Sequence, residues 1–150
     1  MSGLAPASSF HYEWTYDVFI SFRGEDTRNG FVGSLYNALK NVGVRTFLDD
    51  VELGRGDKIT PELLKAIENS RMAVTVFSKN YASSRFCLDE LVQIHECVKG
   101  KDRLVLPIFY HVDPSEVRYQ TGQYGIDLSM HKEKGRVDED KIQRWKLALE

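Results

Sequence analysis

The stretch SSRFCLDEL, residues 83–91, carries two adjacent carboxylates, Asp89 and Glu90, with an aromatic residue and a cysteine just upstream. A single well-placed carboxylate can stabilise positive charge that develops in a transition state, whereas surface acids on a helix only face water. Ser83 and Ser84 offer N-caps for a helix that runs to a stop near Gly100. At about 100° per residue, Leu88, Leu91, Val92, Ile94, His95 and Val98 fall on one side of that helix. Asp89 falls almost opposite and is expected in solvent. Glu90 falls on the border, with Phe86 one turn before it and Ile94 one turn after. Partial burial beside an aromatic ring raises a carboxyl pKa and removes competing water, so Glu90 is the better candidate for chemistry. Most border glutamates on helices are structural, and the wheel alone leaves that role open. His95, on the apolar side, reads as a satisfied core histidine.

Two loops could serve that carboxylate. In SFRGEDTR, Gly24 permits a tight turn, and Asp26 or Thr27 can cap a following helix. Arg23 and Arg28 lie beside that helix start, where the backbone already favours anions. They either hold a phosphate or balance Glu25 and Asp26. The loop matches neither a Walker motif nor GxGxxG. The second loop, DDVELGRGDK, is long and charged, with two glycines, as in lids, partner contacts or solvated connectors. Arg55 within it is a further phosphate partner. Ser21, Ser78 and Cys87 lack a His-Asp partnership, so no nucleophile triad assembles. A lone carboxylate beside an anion-binding loop suits cleavage of a ribosyl bond, whose transition state is oxocarbenium-like.

The elements that must position these residues are legible as alternating runs. YDVFISF (16–22), VRTFL (44–48), MAVTVF (72–77) and LVLPIFY (104–110) read as strands. Phe31, Leu35, Ala38 and Val42 recur at helical spacing, and Thr60-Pro61-Glu62 is a helix start ahead of Leu63, Leu64 and Ile67. A last amphipathic stretch carries Ile142, Trp145 and Leu149. Alternation of this kind predicts an α/β, flavodoxin-like three-layer fold with a parallel sheet in the order 2-1-3-4-5. The first and third runs are the most continuously apolar and belong in the centre. Pro107 makes the fourth run an edge, or one flanked by a short, weak fifth strand. Function is then expected in the loops beyond the carboxyl ends of the strands. A phosphoacceptor receiver shares this architecture. It needs an acidic pair after the first strand and an aspartate after the third, where this chain has Phe22-Arg23 and Ser78-Lys79.

With 150 residues and a net charge of −2, the composition fits one globular domain and gives no support for a nucleic-acid or membrane surface. The opening residues 1–15 are expected to be a loosely ordered leader without secretory features. Cys87 and Cys97, on one helix, would sit about 15 Å apart, beyond disulfide reach. They read as packing residues of an intracellular protein, and no metal-ligand spacing occurs.

YDVFISFRGEDTR, FLDD…RG, PELLKAIENS, VFSKNYASSRFCLDEL and LPIFYHVDPSEVRYQTGQYG together resemble the plant Toll/interleukin receptor (TIR) domain, over about residues 16–150. Such domains usually form the N-terminal part of nucleotide-binding leucine-rich-repeat immune receptors. The resemblance implies a five-stranded flavodoxin-like domain of a cytoplasmic or nuclear receptor. It implies self-association, and cleavage of NAD+ or NADP+, as substrate rather than cofactor, to nicotinamide and ADP-ribose-type signalling nucleotides. The alternative is an adaptor that only recruits other TIR domains. The family's catalytic glutamate maps to Glu90, and its motif Trp to Phe86, beside Cys87. Arg23, Gly24 and Arg28 match positions near the nucleotide phosphates, and Arg55 lies in the matching mobile loop. Self-association in the family maps to Gly33 and Ser34 in the first helix, where a Ser-His or Asp-His pair is common. It maps also to Arg118, Gly122 and Gly125, and to the last helix with Trp145. That last helix is expected to be cut short at Glu150.

Overall fold

The computed structural model describes residues 14–24, 30–48, 60–98, 103–134 and 139–150. In chain order the elements are β1 (Tyr16–Ser21), α1 (Phe31–Asn41), β2 (Thr46–Leu48), α2 (Pro61–Glu68), β3 (Ser70–Phe77), a 3-10 turn (Tyr81–Ser83), α3 (Arg85–Val98), β4 (Leu104–Phe109), α4 (Pro114–Tyr119), α5 (Gly122–Glu133) and α6 (Glu139–Leu149). The strands form one sheet, all parallel, in the order β2-β1-β3-β4. The expected order is therefore observed, and no fifth strand occurs among the described residues.

Period-two alternation along the central strands supplies both cores. Val18, Ile20, Val74 and Val76 face one way and pack with Val32 of α1. Phe19 and Ala73 face the other way, against Leu63, Ala66 and Ile67 of α2 and Phe86, Ile94 and Cys97 of α3. A further cluster carries Leu88 and Leu91 of α3, Tyr124 and Leu128 of α5, and Ile142, Trp145 and Leu149 of α6. The helices thus lie on both faces of the sheet, and the expected three layers result.

Local signals behave as their chemistry dictates. Thr60 Oγ1 accepts the Leu63 amide at 3.1 Å, and Pro61 occupies the first helical position. Ser84 Oγ accepts the Cys87 amide at 3.1 Å and starts α3. Pro107 sits in β4 opposite Thr75, and β4 is an edge of the sheet. In α1 the expected stripe is partly corrected: Val32 is buried, whereas Val42 is 76% exposed and Ala38 is exposed. Phe31 and Leu35 of the expected stripe pack beside Val32, and Leu39 takes the place expected for Ala38. Asp26 and Thr27 lie outside the described residues, and α1 begins after Gly30 without a side-chain cap.

Candidate functional site

Parallel pairing puts the carboxyl ends of all strands on one edge of the sheet. Ser21, the last residue of β1, pairs with Thr75 there. Glu90 lies in the second turn of α3 and reaches this edge. Ser21 Oγ is hydrogen-bonded to Glu90 Oε1 at 2.6 Å. The same hydroxyl lies 2.8 Å from the Tyr81 hydroxyl, which in turn donates to the Cys87 carbonyl at 3.1 Å. Tyr81 comes from the 3-10 turn that reverses the chain between β3 and α3. Glu90 is 1% exposed, and Ser21 and Tyr81 are fully buried. Burial pushes the Tyr81 hydroxyl well above the ordinary phenol range, with the Cys87 thiol and Glu90 adding to the effect. Tyr81 is therefore a hydrogen-bond donor throughout the physiological range.

Glu90 is thus more deeply buried than a border position implies. Asp89 departs further from expectation. Its side chain is 21% exposed, it accepts the Trp145 indole N–H at 2.9 Å, and Lys141 Nζ lies 3.4 Å from its other oxygen. Asp89 fastens α6 onto α3 instead of facing water. His95 is exposed and not a core residue. Phe86, expected to offer a stacking face, is 5% exposed and packs among Phe19, Leu63 and Ile94. Both cysteines are free and buried, and the Cys87 thiol lies 3.5 Å from the Phe22 carbonyl.

Arg23 and Gly24 follow β1 after Phe22, Arg23 half-buried and Gly24 buried, at the carboxyl edge that Glu90 reaches. Arg28 and Arg55 lie outside the described residues. Of the residues assigned to self-association, Gly33 is half-buried and Ser34 exposed on α1. Arg118 is exposed on α4, its guanidinium 5.6 Å from the Tyr119 ring centre. Gly122 has φ +56, and a Cβ there would meet the Glu116 carboxyl at 2.9 Å. A Cβ on Gly125 would lie 2.6 Å from the Gln120 carbonyl oxygen. Both glycines are therefore required by the α4–α5 turn itself. Trp145 is 0% exposed and belongs to the core rather than to a surface. Among the described residues no cluster of His, Cys, Asp or Glu could hold a metal ion. No helix there is long and apolar enough to cross a membrane.

Sequence reasoning did not single out Tyr81 or Asp127, and it weighed Ser21 only as a nucleophile. A hydroxyl ending an otherwise apolar strand was the signal for Ser21. Asp127 on α5 is 8% exposed, and its Oδ1 accepts from Gln123 Nε2 at 2.9 Å. Burial raises its carboxyl pKa, against smaller opposing effects of the Gln123 bond, His131 and Arg23. Its helical period resembles that of any polar position, and only the packing of α5 on the 3-10 turn reveals it.

Residues 15–150 match the family described as TIR domain. The chain is 59% identical over 135 residues to "Disease resistance protein RPV1" of Vitis rotundifolia, covering 90% of this chain and 9% of that protein. It is 50% identical over 143 residues to "TMV resistance protein N" of Nicotiana glutinosa, covering 95% of this chain and 12% of that protein. The chain therefore spans about a tenth of the length of the curated relatives it matches. A solved chain of the TIR domains of the activated Roq1 resistosome, which directly recognises the pathogen effector XopQ, superposes with a TM-score of 0.83 at 55% identity. That match covers 90% of this chain and 81% of the other. The TIR domain of the Toll-related receptor TRR-2 from Hydra magnipapillata superposes with a TM-score of 0.52 at 26% identity, over 66% of this chain and 74% of the other. With the family matched over almost its whole length and plant disease-resistance proteins among its relatives, this chain belongs to the TIR domain family, in its plant immune-receptor branch.

Proposed function

We propose that this chain is an assembly-dependent NAD(P)+ nucleosidase domain of a plant intracellular immune receptor. The observation that carries the reading is Glu90: a buried carboxyl, hydrogen-bonded by Ser21, at the carboxyl edge of the two central strands. The reaction breaks the bond between the ribose C1′ and the nicotinamide nitrogen, and water supplies the oxygen that replaces it. Nicotinamide departs with the bonding electron pair, ADP-ribose (or its phosphorylated form) remains, and one proton is released. Glu90 engages the ribose hydroxyls and stabilises the positive charge that develops on the ring. Arg23, Arg28 and Arg55 hold the phosphates, and Gly24 lets the backbone approach them. Phe86 and Cys87, both buried here, form the wall nearest the leaving group once the site opens. The substrate is the only nucleotide required, with no cofactor.

At 1% exposure Glu90 cannot touch a nucleotide in this conformation. Catalysis therefore requires a rearrangement, and self-association supplies it. The Roq1 neighbour is a TIR domain in an activated resistosome, which supports assembly between TIR domains here too. One contact uses α1 around Gly33 and Ser34; a second uses α4 and α5 around Arg118, Gly122 and Gly125, backed by α6, which Trp145 holds in place. The partners are further TIR domains, in the cytoplasm or nucleus. The test is release of nicotinamide from NAD+ by protein clustered through a fused oligomeriser, with Glu90→Ala as control. Release no greater than the control's removes the enzyme reading and leaves an adaptor that signals by TIR–TIR contact alone.

A further inference from the structure

Residues 78–84, between β3 and α3, carry Tyr81, and α5 holds this segment by its backbone at two points. The Tyr124 hydroxyl donates to the Ser78 carbonyl at 2.7 Å, and His131 Nε2 lies 2.9 Å from the Ala82 carbonyl. A carbonyl only accepts, so Nε2 carries the proton in the second contact. Tyr124 and His131 are seven residues apart, about two turns of α5, and therefore share one face of it. Tyr124 is fully buried and His131 half-buried. The two anchored carbonyls bracket Tyr81 in the chain.

From Tyr81 the contacts run on to Glu90. The Tyr81 hydroxyl lies 2.8 Å from Ser21 Oγ and donates to the Cys87 carbonyl at 3.1 Å, and Ser21 donates to Glu90 Oε1 at 2.6 Å. A second route starts at His131. Its ring meets the Trp145 ring edge-on, centres 5.3 Å apart, and the Trp145 indole donates to Asp89, the neighbour of Glu90 on α3. We propose that Tyr124 and His131 are positioning residues that latch the β3–α3 segment onto α5, and that release of this latch frees Tyr81 and opens the surroundings of Glu90. The inference rests on the reading of Glu90 as the working carboxyl and of α5 as a helix that meets a second domain. The other side of α5 is exposed at Ile126 and Met130, roughly opposite Tyr124 and His131 around the helix. A contact that displaces α5 from that side strains both carbonyl bonds at once.

Burial gives the latch its leverage. Ser78 and Ala82 are 1% and 0% exposed, so a carbonyl that loses its donor there has little access to water. A buried unpaired carbonyl is costly, and the segment shifts to regain a partner. Such a shift is a local opening, distinct from unfolding, because β3 and the body of α3 stay packed. The two cysteines tell the cases apart. Cys87, one turn before Glu90, is fully buried; its carbonyl takes the Tyr81 hydroxyl and its thiol lies 3.5 Å from the Phe22 carbonyl. Cys97, near the other end of α3, is buried in the cluster with Leu63 and Ile67 of α2. Opening of the segment exposes the first thiol alone, whereas unfolding exposes both.

The test needs no substrate. Thiol labelling is followed by mass spectrometry, and the rate at Cys87 is divided by the rate at Cys97. Tyr124→Phe keeps the ring and removes the hydroxyl; His131→Phe keeps a ring against Trp145 and removes the donor. Each should raise the ratio about tenfold, the scale of one lost hydrogen bond in a local opening. His131→Gln, whose side-chain amide restores an N–H donor, should return the ratio to the wild-type value. The 13C carboxyl resonance of Glu90 in glutamate-labelled protein, identified by its loss in Glu90→Gln, should move in both Phe variants. A raised ratio with a moved Glu90 resonance supports the latch. An unchanged ratio, equal rises at both thiols, a stationary Glu90 resonance, or a ratio still raised in His131→Gln overturns it. Should the His131 variants not fold, Tyr124→Phe decides alone on the same two readouts. If both readouts move as stated while clustered protein releases no nicotinamide, the nucleosidase reading fails and the latch stands. If clustered wild type releases nicotinamide and neither readout moves, the latch alone fails.

Discussion

Neighbouring acids on one helix have different tasks here. Glu90 turns towards Ser21 at the strand edge, whereas Asp89 turns towards α6 and takes the Trp145 indole N–H. A helical wheel separates the two correctly but misjudges both depths. It knows only the helix, and the burial of each acid is decided by a distant partner, Ser21 in one case and α6 in the other. The same limit explains Phe86 and His95. The wheel cannot see that α2 closes over Phe86, or that His95 lies at the open flank of α3. Arg23 was legible because its position follows from the end of a strand. Asp127 was not, because its burial follows from tertiary packing alone. Its carboxyl is raised by burial above the ordinary aspartate value, so ionising it opposes folding. The sign is definite: that cost is absent below the unfolded aspartate pKa, and stability falls as pH rises through and above it. Asp127→Asn keeps an oxygen for Gln123 and removes the charge. Its melting temperature should exceed the wild type's at pH 7 and match it at pH 3, as measured by thermal unfolding at both values.

At the scale of elements, the strands and the capped helices were readable, since proline, serine and threonine act locally. The α4–α5 region was not assigned helices from sequence, because its organising features are steric. Gly122 takes a left-handed φ, and Gly125 faces the Gln120 carbonyl. Gly125→Ala would press a methyl against backbone that cannot yield cheaply, costing about 1–3 kcal/mol. Denaturant unfolding should register that loss in the isolated domain, before any question of association. Failure of a Gly125 variant to associate is therefore evidence about an interface only when the fold is shown intact. The α3–α6 contact makes a second prediction. Trp145→Phe removes the indole donor from the half-buried Asp89 and trims a fully buried ring. A loss of about 2 kcal/mol is expected. A double-mutant cycle with Asp89→Ala should return a coupling of about 1 kcal/mol, and no coupling would place the loss in packing alone.

Across the whole molecule, the parallel order β2-β1-β3-β4 brings Ser21, Arg23, Tyr81 and Glu90 from separate parts of the chain to one edge. The fold class was readable because the buried central strands are continuous apolar runs, and because turn chemistry separates them from the helices. The closed state of the site was not, since it depends on side chains more than sixty positions apart meeting in the core. A nearly inaccessible Glu90 makes a rearrangement of the site a physical requirement of the proposed activity. The most direct measurement compares nicotinamide release from NAD+ by wild type and Glu90→Gln, each dispersed at low concentration and each clustered through the same oligomeriser. The account predicts release from clustered wild type alone, at least about 100-fold above both the dispersed wild type and the clustered variant, the scale of losing one transition-state contact. Equal release by clustered wild type and clustered Glu90→Gln would contradict it.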